Sequence, residues 1–329
     1  MTDLVGHEHV WREWRAARAG SRMHHGWMLV GREGLGKALF ARAAAAELVA
    51  MPGVPQPDPA AHPDILWLSP LPASDEDARK RDDGKPHALK RSISVDQVRA
   101  MQRRLVTRPT LGPCRAVIID SADLLEKSAA NALLKTLEEP PAGTFLLLVV
   151  HQIGRILPTI RSRCRVLRFR PLDAVEMGTV LDRRGSQFDP VNRSAAIAVG
   201  DGAPGAAMAF AEQDLGPAWA LMTRIVREGD PQLALRSALV AAVGGRPDRE
   251  RLAAVLTAAR QVLMATIGEG DAARHAALAD AHHTLAGLAR DAVTHNFDTG
   301  ALLMEIGALL AGVAPIRDGA QVNPGAIRP

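Results

Sequence analysis

Apolar positions come first in short unbroken runs and later as helical stripes. The runs are GWMLVG (Gly26–Gly31), DILWLS (Asp64–Ser69), RAVIID (Arg115–Asp120), TFLLLVV (Thr144–Val150) and CRVLRF (Cys164–Phe169). Continuous apolar runs of this length, lacking the alternation of a half-exposed strand, predict strands buried on both faces. A parallel sheet covered by helices satisfies that requirement. KALFARAAAAELVA (Lys37–Ala50) follows the first run and reads as an alanine-rich helix, so the glycines between them lie at a strand-to-helix turn.

The pattern changes twice further on. Between Ala73 and Arg91, charges of both signs alternate with Gly and Pro and almost no large apolar residue, which predicts a mobile surface loop. From about Pro171 the periodicity is entirely helical. Leu252, Val255, Leu256, Ala259 and Leu263 fall on one helix face, and Leu302, Ile306, Leu309, Leu310 and Val313 on another. The expected organisation is an α/β domain over 1–170, a small helical domain over 171–227 and a C-terminal all-α domain over 228–329.

Length and composition agree with this division. A chain of 329 residues is long enough for two or three domains. Hydrophobic residues make up 47% but aromatic ones only 3%, so small side chains must form the packing surfaces. No apolar run approaches the length of a membrane span, and the charged N-terminus lacks the apolar centre of a signal peptide. A cytoplasmic protein is expected. The formal charge of +4 is spread along the chain and permits acidic partners without indicating them. Cys114 and Cys164, fifty positions apart, match neither a disulfide framework nor a zinc site and are expected to be reduced small hydrophobes. The pairs His24–His25 and His282–His283 lack companion ligands at metal-binding spacing.

Chemistry enters at GREGLGKA (Gly31–Ala38), which fits the phosphate loop G-x-x-x-x-G-K-[ST] except at its last position. Gly31, Gly34 and Gly36 let backbone N–H groups turn toward an anion at a helix N-terminus, and Lys37 adds a point charge. Ala38 lacks the hydroxyl that holds magnesium. Asp120, ending the third apolar run, stands where a phosphate-loop ATPase places its magnesium-linked acid. Taken alone, the residues leave open a plain glycine turn and a buried strand ending in a surface aspartate.

The strings NALLKTLEEPP (Asn131–Pro141) and IRSRCRVLRF (Ile160–Phe169) resemble the clamp-loader branch of the AAA+ ATPases, most closely its delta prime type. VGHEHV, the glycine loop, HPDILWL, SVDQVRAMQRRL and DGAPGAAM carry the resemblance along the first two-thirds of the chain. The resemblance implies an AAA+ domain, a small helical domain and a C-terminal collar. It also implies a five-subunit ring with motor subunits of gamma/tau type and a clamp-opening delta subunit, acting on a sliding clamp and primed DNA. Delta prime members are implied to support the assembly rather than hydrolyse ATP. Three departures from the active pattern agree with that role: Ala38, Ser121 in place of a water-activating glutamate, and Ala207 where active subunits carry a phosphate-sensing arginine. The sequence makes no cofactor certain, and leaves ATP or ADP binding open. The cysteine-free stretch Met51–Asp64 departs from zinc-carrying relatives, so no zinc is expected.

The resemblance further implies that Arg163, within the triplet Ser162-Arg163-Cys164, reaches into a neighbouring subunit's ATP site. Arg99 and Arg103, at helical spacing with Arg104, face either DNA phosphates or solvent. Glu138 and Glu139 read as the end of a helix stopped by Pro140. Competing functions are a self-sufficient AAA+ ATPase of helicase-loading or remodelling type and a small-molecule kinase. The kinase reading finds no substrate motif, and the three departures count against the ATPase.

Overall fold

The computed structural model describes residues 4–20, 23–184, 188–245, 247–267, 271–291 and 298–315. The chain divides into two compact units between Glu176 and Met177. The first contains α1 (Glu8–Ala19), β1 (Gly26–Val30), α2 (Lys37–Val49), β2 (Ile65–Leu68), α3 (Asp75–Asp82), α4 (Val95–Leu105), β3 (Arg115–Ile119), α5 (Lys127–Glu138), β4 (Thr144–Val150), α6 (Pro158–Arg161) and β5 (Arg165–Arg168). Helix α7 (Ala174–Arg184) spans the boundary.

Each strand lies inside one of the apolar runs. The strands form a wholly parallel sheet in the order β2-β3-β4-β1-β5. All residues of β1 and β3 are buried, which explains why these runs carry no polar alternation. On one face Val98, Met101 and Leu105 of α4 join Ala129, Leu133 and Leu137 of α5 against Met28, Val117, Ile119, Leu146 and Leu148. Full burial of an aliphatic side chain of this size contributes roughly 1.5–3 kcal/mol.

The charged segment Ala73–Arg91 is not the structureless loop its composition suggests. It contains α3, capped by Ser74, whose Oγ accepts from the N–H of Asp77. Asp75, Glu76 and Asp77 occupy the first turn and Arg79, Lys80 and Arg81 the last, complementing the helix dipole. A Glu76–Lys80 pair at 2.7 Å spans one turn. With no residue of α3 buried, this helix rests on capping and charge order, a source of structure that hydropathy does not register.

The second unit is helical: α8 (Pro190–Gly200), α9 (Pro204–Glu212), α10 (Gly216–Glu228), α11 (Ala234–Val243), α12 (Arg249–Ala265), α13 (Ala272–Asp291) and α14 (Thr299–Gly312). The expected stripes face its core. Val255, Leu256, Ala259 and Leu263 of α12 are buried, as are Leu302, Ile306 and Leu310 of α14 and Val313 just beyond it. The expected 227/228 division falls inside this unit. There α10 packs on α8 as well as on α11, α12 and α14.

Candidate functional site

Parallel strands bring their C-terminal ends to one edge of the sheet. In α/β folds ligands bind outside those ends. Register places Val30 beside Val150, so the glycine loop after β1 adjoins the residue after β4, which is His151. The N–H of Asp120, following β3, donates to the Leu68 carbonyl at 2.7 Å and keeps this acid on the same edge. The loop and Asp120 are therefore brought together as their positions in the sequence suggest. Gly34 and Gly36 both have φ of +80°, a left-handed conformation that glycine adopts without steric cost.

The chemistry of that edge is turned inward. Lys37 is buried, and its ammonium donates to the Gly31 carbonyl at 2.7 Å and to the carbonyl of Arg32. Burial lowers its pKa to about 8, against the opposing pull of Glu33, Asp123 and Asp120. Burial likewise raises the Asp120 carboxyl above its ordinary range, with His151 and Lys37 drawing it back. His7 packs its ring 4.8 Å from that of Phe169 and donates through Nε2 to the Leu35 carbonyl at 3.0 Å, tying the loop from behind. Burial holds His7 below its usual pKa despite that carbonyl.

Ser121 has φ of +63°, an uncommon conformation for a residue with a side chain, and its Oγ lies 3.1 Å from His151 Nε2. The backbone N–H of His151 donates to Asp123 Oδ1 at 2.9 Å. Sequence reasoning missed His151, and only its place directly after an apolar strand could have drawn attention to it. These residues do not fit a hydrolysable magnesium nucleotide. Two of the three Lys37 donors serve loop carbonyls, Ala38 has no hydroxyl, and the Ser121 hydroxyl engages a histidine where a carboxylate would be needed.

Arg163 lies at the opposite edge, two residues before β5 and beside the first residue of β1. A Cβ on Gly26 would stand 3.0 Å from the Arg163 carbonyl, 3.2 Å from Cys164 Sγ and 3.2 Å from Leu137, so glycine at the start of β1 permits the triplet to pack there. The guanidinium donates through Nη1 to the Thr159 carbonyl at 3.0 Å and to Ser162 Oγ at 3.3 Å. Its Nη2 lies 2.8 Å from Glu138 Oε1. The Ser162 hydroxyl itself donates to Thr159 O at 3.0 Å. Burial pushes the Cys164 thiol up to about 12, which keeps it protonated and unreactive. Glu138 ends α5, as expected, but its ion pair with Arg163 was not foreseen.

The remaining candidates separate. Arg99 and Arg103 lie on the exposed face of α4, with Arg99 3.8 Å from Asp96. The rings of His24 and His25 stack at 4.7 Å, and His25 Nε2 donates to the Leu137 carbonyl at 2.8 Å, a structural use. Among the described residues no group of three or more His, Cys, Asp or Glu could hold a metal ion. Ala207 is fully buried where α9 meets α8, with its Cβ only 2.8 Å from the place a Cβ on Gly200 would take. An arginine there would be a buried charge. The exposed residue in the first turn of α9 is Gly205, which carries no side chain.

A parallel sheet with a glycine loop and a strand-end acid on one edge, followed by helices, defines an α/β protein of phosphate-loop type. The family model described as DNA polymerase III, delta subunit matches residues 6–173, just over half of the chain, and the chain belongs to that family. Among curated relatives, DNA polymerase III subunit delta' of Escherichia coli is 39% identical over 129 residues, covering 39% of this chain and 38% of that protein. The same subunit from Pseudomonas aeruginosa is 36% identical over 173 residues, covering 47% and 46%. DNA polymerase III subunit gamma/tau of Mycobacterium bovis is 29% identical over 227 residues, covering 66% and 37%. The chain thus aligns with less than half the length of each of these relatives.

Proposed function

We propose that the chain is a non-hydrolysing subunit of a DNA polymerase III clamp loader. In this reading it joins gamma/tau-type motor subunits and a delta subunit in a five-subunit ring in the cytoplasm. The ring loads a sliding clamp onto primed DNA at the expense of ATP bound elsewhere, and residues 228–329 form this chain's share of the collar. Arg163 is the arginine this chain offers to an adjoining subunit's ATP.

The observation that carries the reading is the separation of the two edges. The glycine loop follows the last residue of β1 and Arg163 lies beside the first. A five-residue strand at about 3.3 Å per residue puts roughly 16 Å of sheet between them. Arg163 is therefore too far from its own loop to serve it, which supports a role toward a phosphate held by another chain. Supplied across a boundary, an arginine stabilises the charge that spreads over a transferring phosphoryl group, and its planar fork contacts two oxygens where lysine offers a point charge. The inward-turned Lys37 and the Ser121–His151 contact support the non-hydrolysing half.

The experiment is to measure ATP turnover by the purified chain and by the reconstituted complex. The chain alone should show none above background, and Lys37→Ala should leave the turnover of the complex nearly unchanged. Arg163→Ala and Arg163→Lys should both lower DNA-stimulated turnover and clamp loading at matched assembly. The loss should be partial, because only one adjoining site loses its finger. Turnover by the isolated chain of about 1 s⁻¹, an ordinary enzyme rate, would end the non-hydrolysing reading. Unchanged rates with Arg163→Ala would end the trans role.

A further inference from the structure

We infer that Glu138 is a positioning residue that holds Arg163 in a retracted, charge-neutral state, and that engagement of a neighbour's phosphate requires exchange of this carboxylate for the phosphate. The inference rests on the reading of Arg163 given above.

The geometry comes from two elements far apart in sequence. Glu138 is the last residue of α5, where Pro140 prevents the helix from continuing, so its side chain leaves the helix end. Arg163 follows the short helix α6, whose first turn begins at Pro158. The two meet at 2.8 Å beside the start of β1. The other terminal nitrogen, Nη1, donates to the Thr159 carbonyl and to Ser162 Oγ, so both ends of the guanidinium fork are occupied within this chain. A phosphate approaching in this state meets an arginine whose charge is already cancelled, next to a carboxylate that repels it.

The magnitude suits an exchangeable contact. The side chains are 37% and 50% exposed, and an ion pair so open to solvent shifts an equilibrium by a factor of only about 1 to 5. A triphosphate carries more charge than one carboxylate and accepts from both ends of the fork, so it outcompetes Glu138 once the subunits close. Until then the competent fraction of Arg163 is reduced, and the apparent interaction with the neighbour weakens by the same fraction. The consequence is a brake on turnover when the ring is idle.

The test reconstitutes the full complex with Glu138→Gln, Glu138→Asp, Arg163→Ala and the double variant Glu138→Gln/Arg163→Ala. ATP turnover is measured without clamp or DNA and again with both, at matched assembly. Glu138→Gln should raise the idle rate about twofold to fivefold, in the upper part of the range an exposed ion pair allows, and change the stimulated rate much less. Glu138→Asp retains the carboxylate and should return the idle rate toward normal, an outcome that loss of helix-end packing would not produce. The double variant should match Arg163→Ala alone, because the brake acts only through the arginine. An idle rate unchanged or lowered by Glu138→Gln, while Arg163→Ala is impaired, would overturn the brake and leave the trans arginine standing. A rise that persists in the double variant would overturn it too, by showing that Glu138 acts on something else. If Arg163→Ala matches the unaltered chain, the trans reading and the brake fall together.

Discussion

Asp64 shows how one residue can anchor a sheet edge without taking part in any site. It is fully buried and accepts from the N–H groups of Thr110 and Leu111, both at 2.7 Å, while Arg115 Nη2 lies 3.5 Å away. Arg115 in turn donates to the carbonyls of Arg104, Thr107 and Arg108, fastening the segment between α4 and β3. Burial alone would raise the Asp64 pKa, but the two N–H donors and the guanidinium outweigh it and hold the carboxyl below its ordinary range. The folded state thus binds the proton less readily than the unfolded chain. Its contribution to stability is complete above the ordinary carboxylate pKa of about 4 and is lost as the pH falls through the lower folded value. Asp64→Ala strands a buried guanidinium and two N–H groups, so it should cost about 3–5 kcal/mol in urea unfolding at neutral pH. The difference between variant and unaltered chain should shrink on acidification, and a constant difference down to pH 2 would show that the carboxylate charge is not involved.

At the scale of elements, the connections matter as much as the strands. The turn from α5 into β4 passes through Gly143 at φ +73°, whose carbonyl accepts from Arg115 N–H at 2.8 Å and so starts the β3–β4 ladder. A methyl group at that position would run into the Pro113 carbonyl, which is backbone and cannot swing aside. Gly143→Ala therefore combines left-handed strain with a clash, and should destabilise the sheet unit by roughly 1–3 kcal/mol in denaturant titration. Gly84, also at positive φ but with open space around it, serves as the comparison. Gly84→Ala should carry the conformational cost alone and fall at the low end of that range. Equal losses at both positions would show that the Pro113 contact contributes nothing.

For the whole molecule, the division between Glu176 and Met177 determines where the chain can be cut. The sheet unit has its own core in the residues that α4 and α5 pack against the strands, so a chain ending at 176 should fold independently and unfold cooperatively. A cut after Arg227 instead removes α11, α12 and α14 from α10, whose Met222, Ile225 and Val226 are buried. That product should bind a hydrophobic dye and aggregate, whereas the product ending at 176 should not. Matching behaviour of the two would mean that the helices before Arg227 need no support from those after it. The collar role proposed for 228–329 is consequently better tested by point changes on its exposed surface than by truncation.

How much was legible in the sequence differs by residue. Apolar runs specified β1 to β5 within a residue or two: β1, β3 and β4 are buried on both faces and leave a continuous signal, whereas β5, an edge strand, is not doubly buried as expected but exposes Arg165 and Arg168. The glycine loop was legible for a related reason, since its conformational demands are met by residues adjacent in the chain. Helix α3 escaped notice because its order comes from Ser74 and from charge placement. Long-range side-chain partners were beyond reach: Ser121 with His151 across thirty residues and Glu138 with Arg163 at the candidate site, and Arg115 with Asp64 across fifty-one outside it. Such pairs depend on the strand order β2-β3-β4-β1-β5 and its register, which hydrophobic pattern leaves unstated. The sequence by itself determined which segments would be buried and which residues could carry phosphate or charge. Tertiary structure decided that Lys37 turns onto its own loop, and that Arg163 lies at the far edge of the sheet against a carboxylate, because only the packed sheet brings the ends of distant segments together.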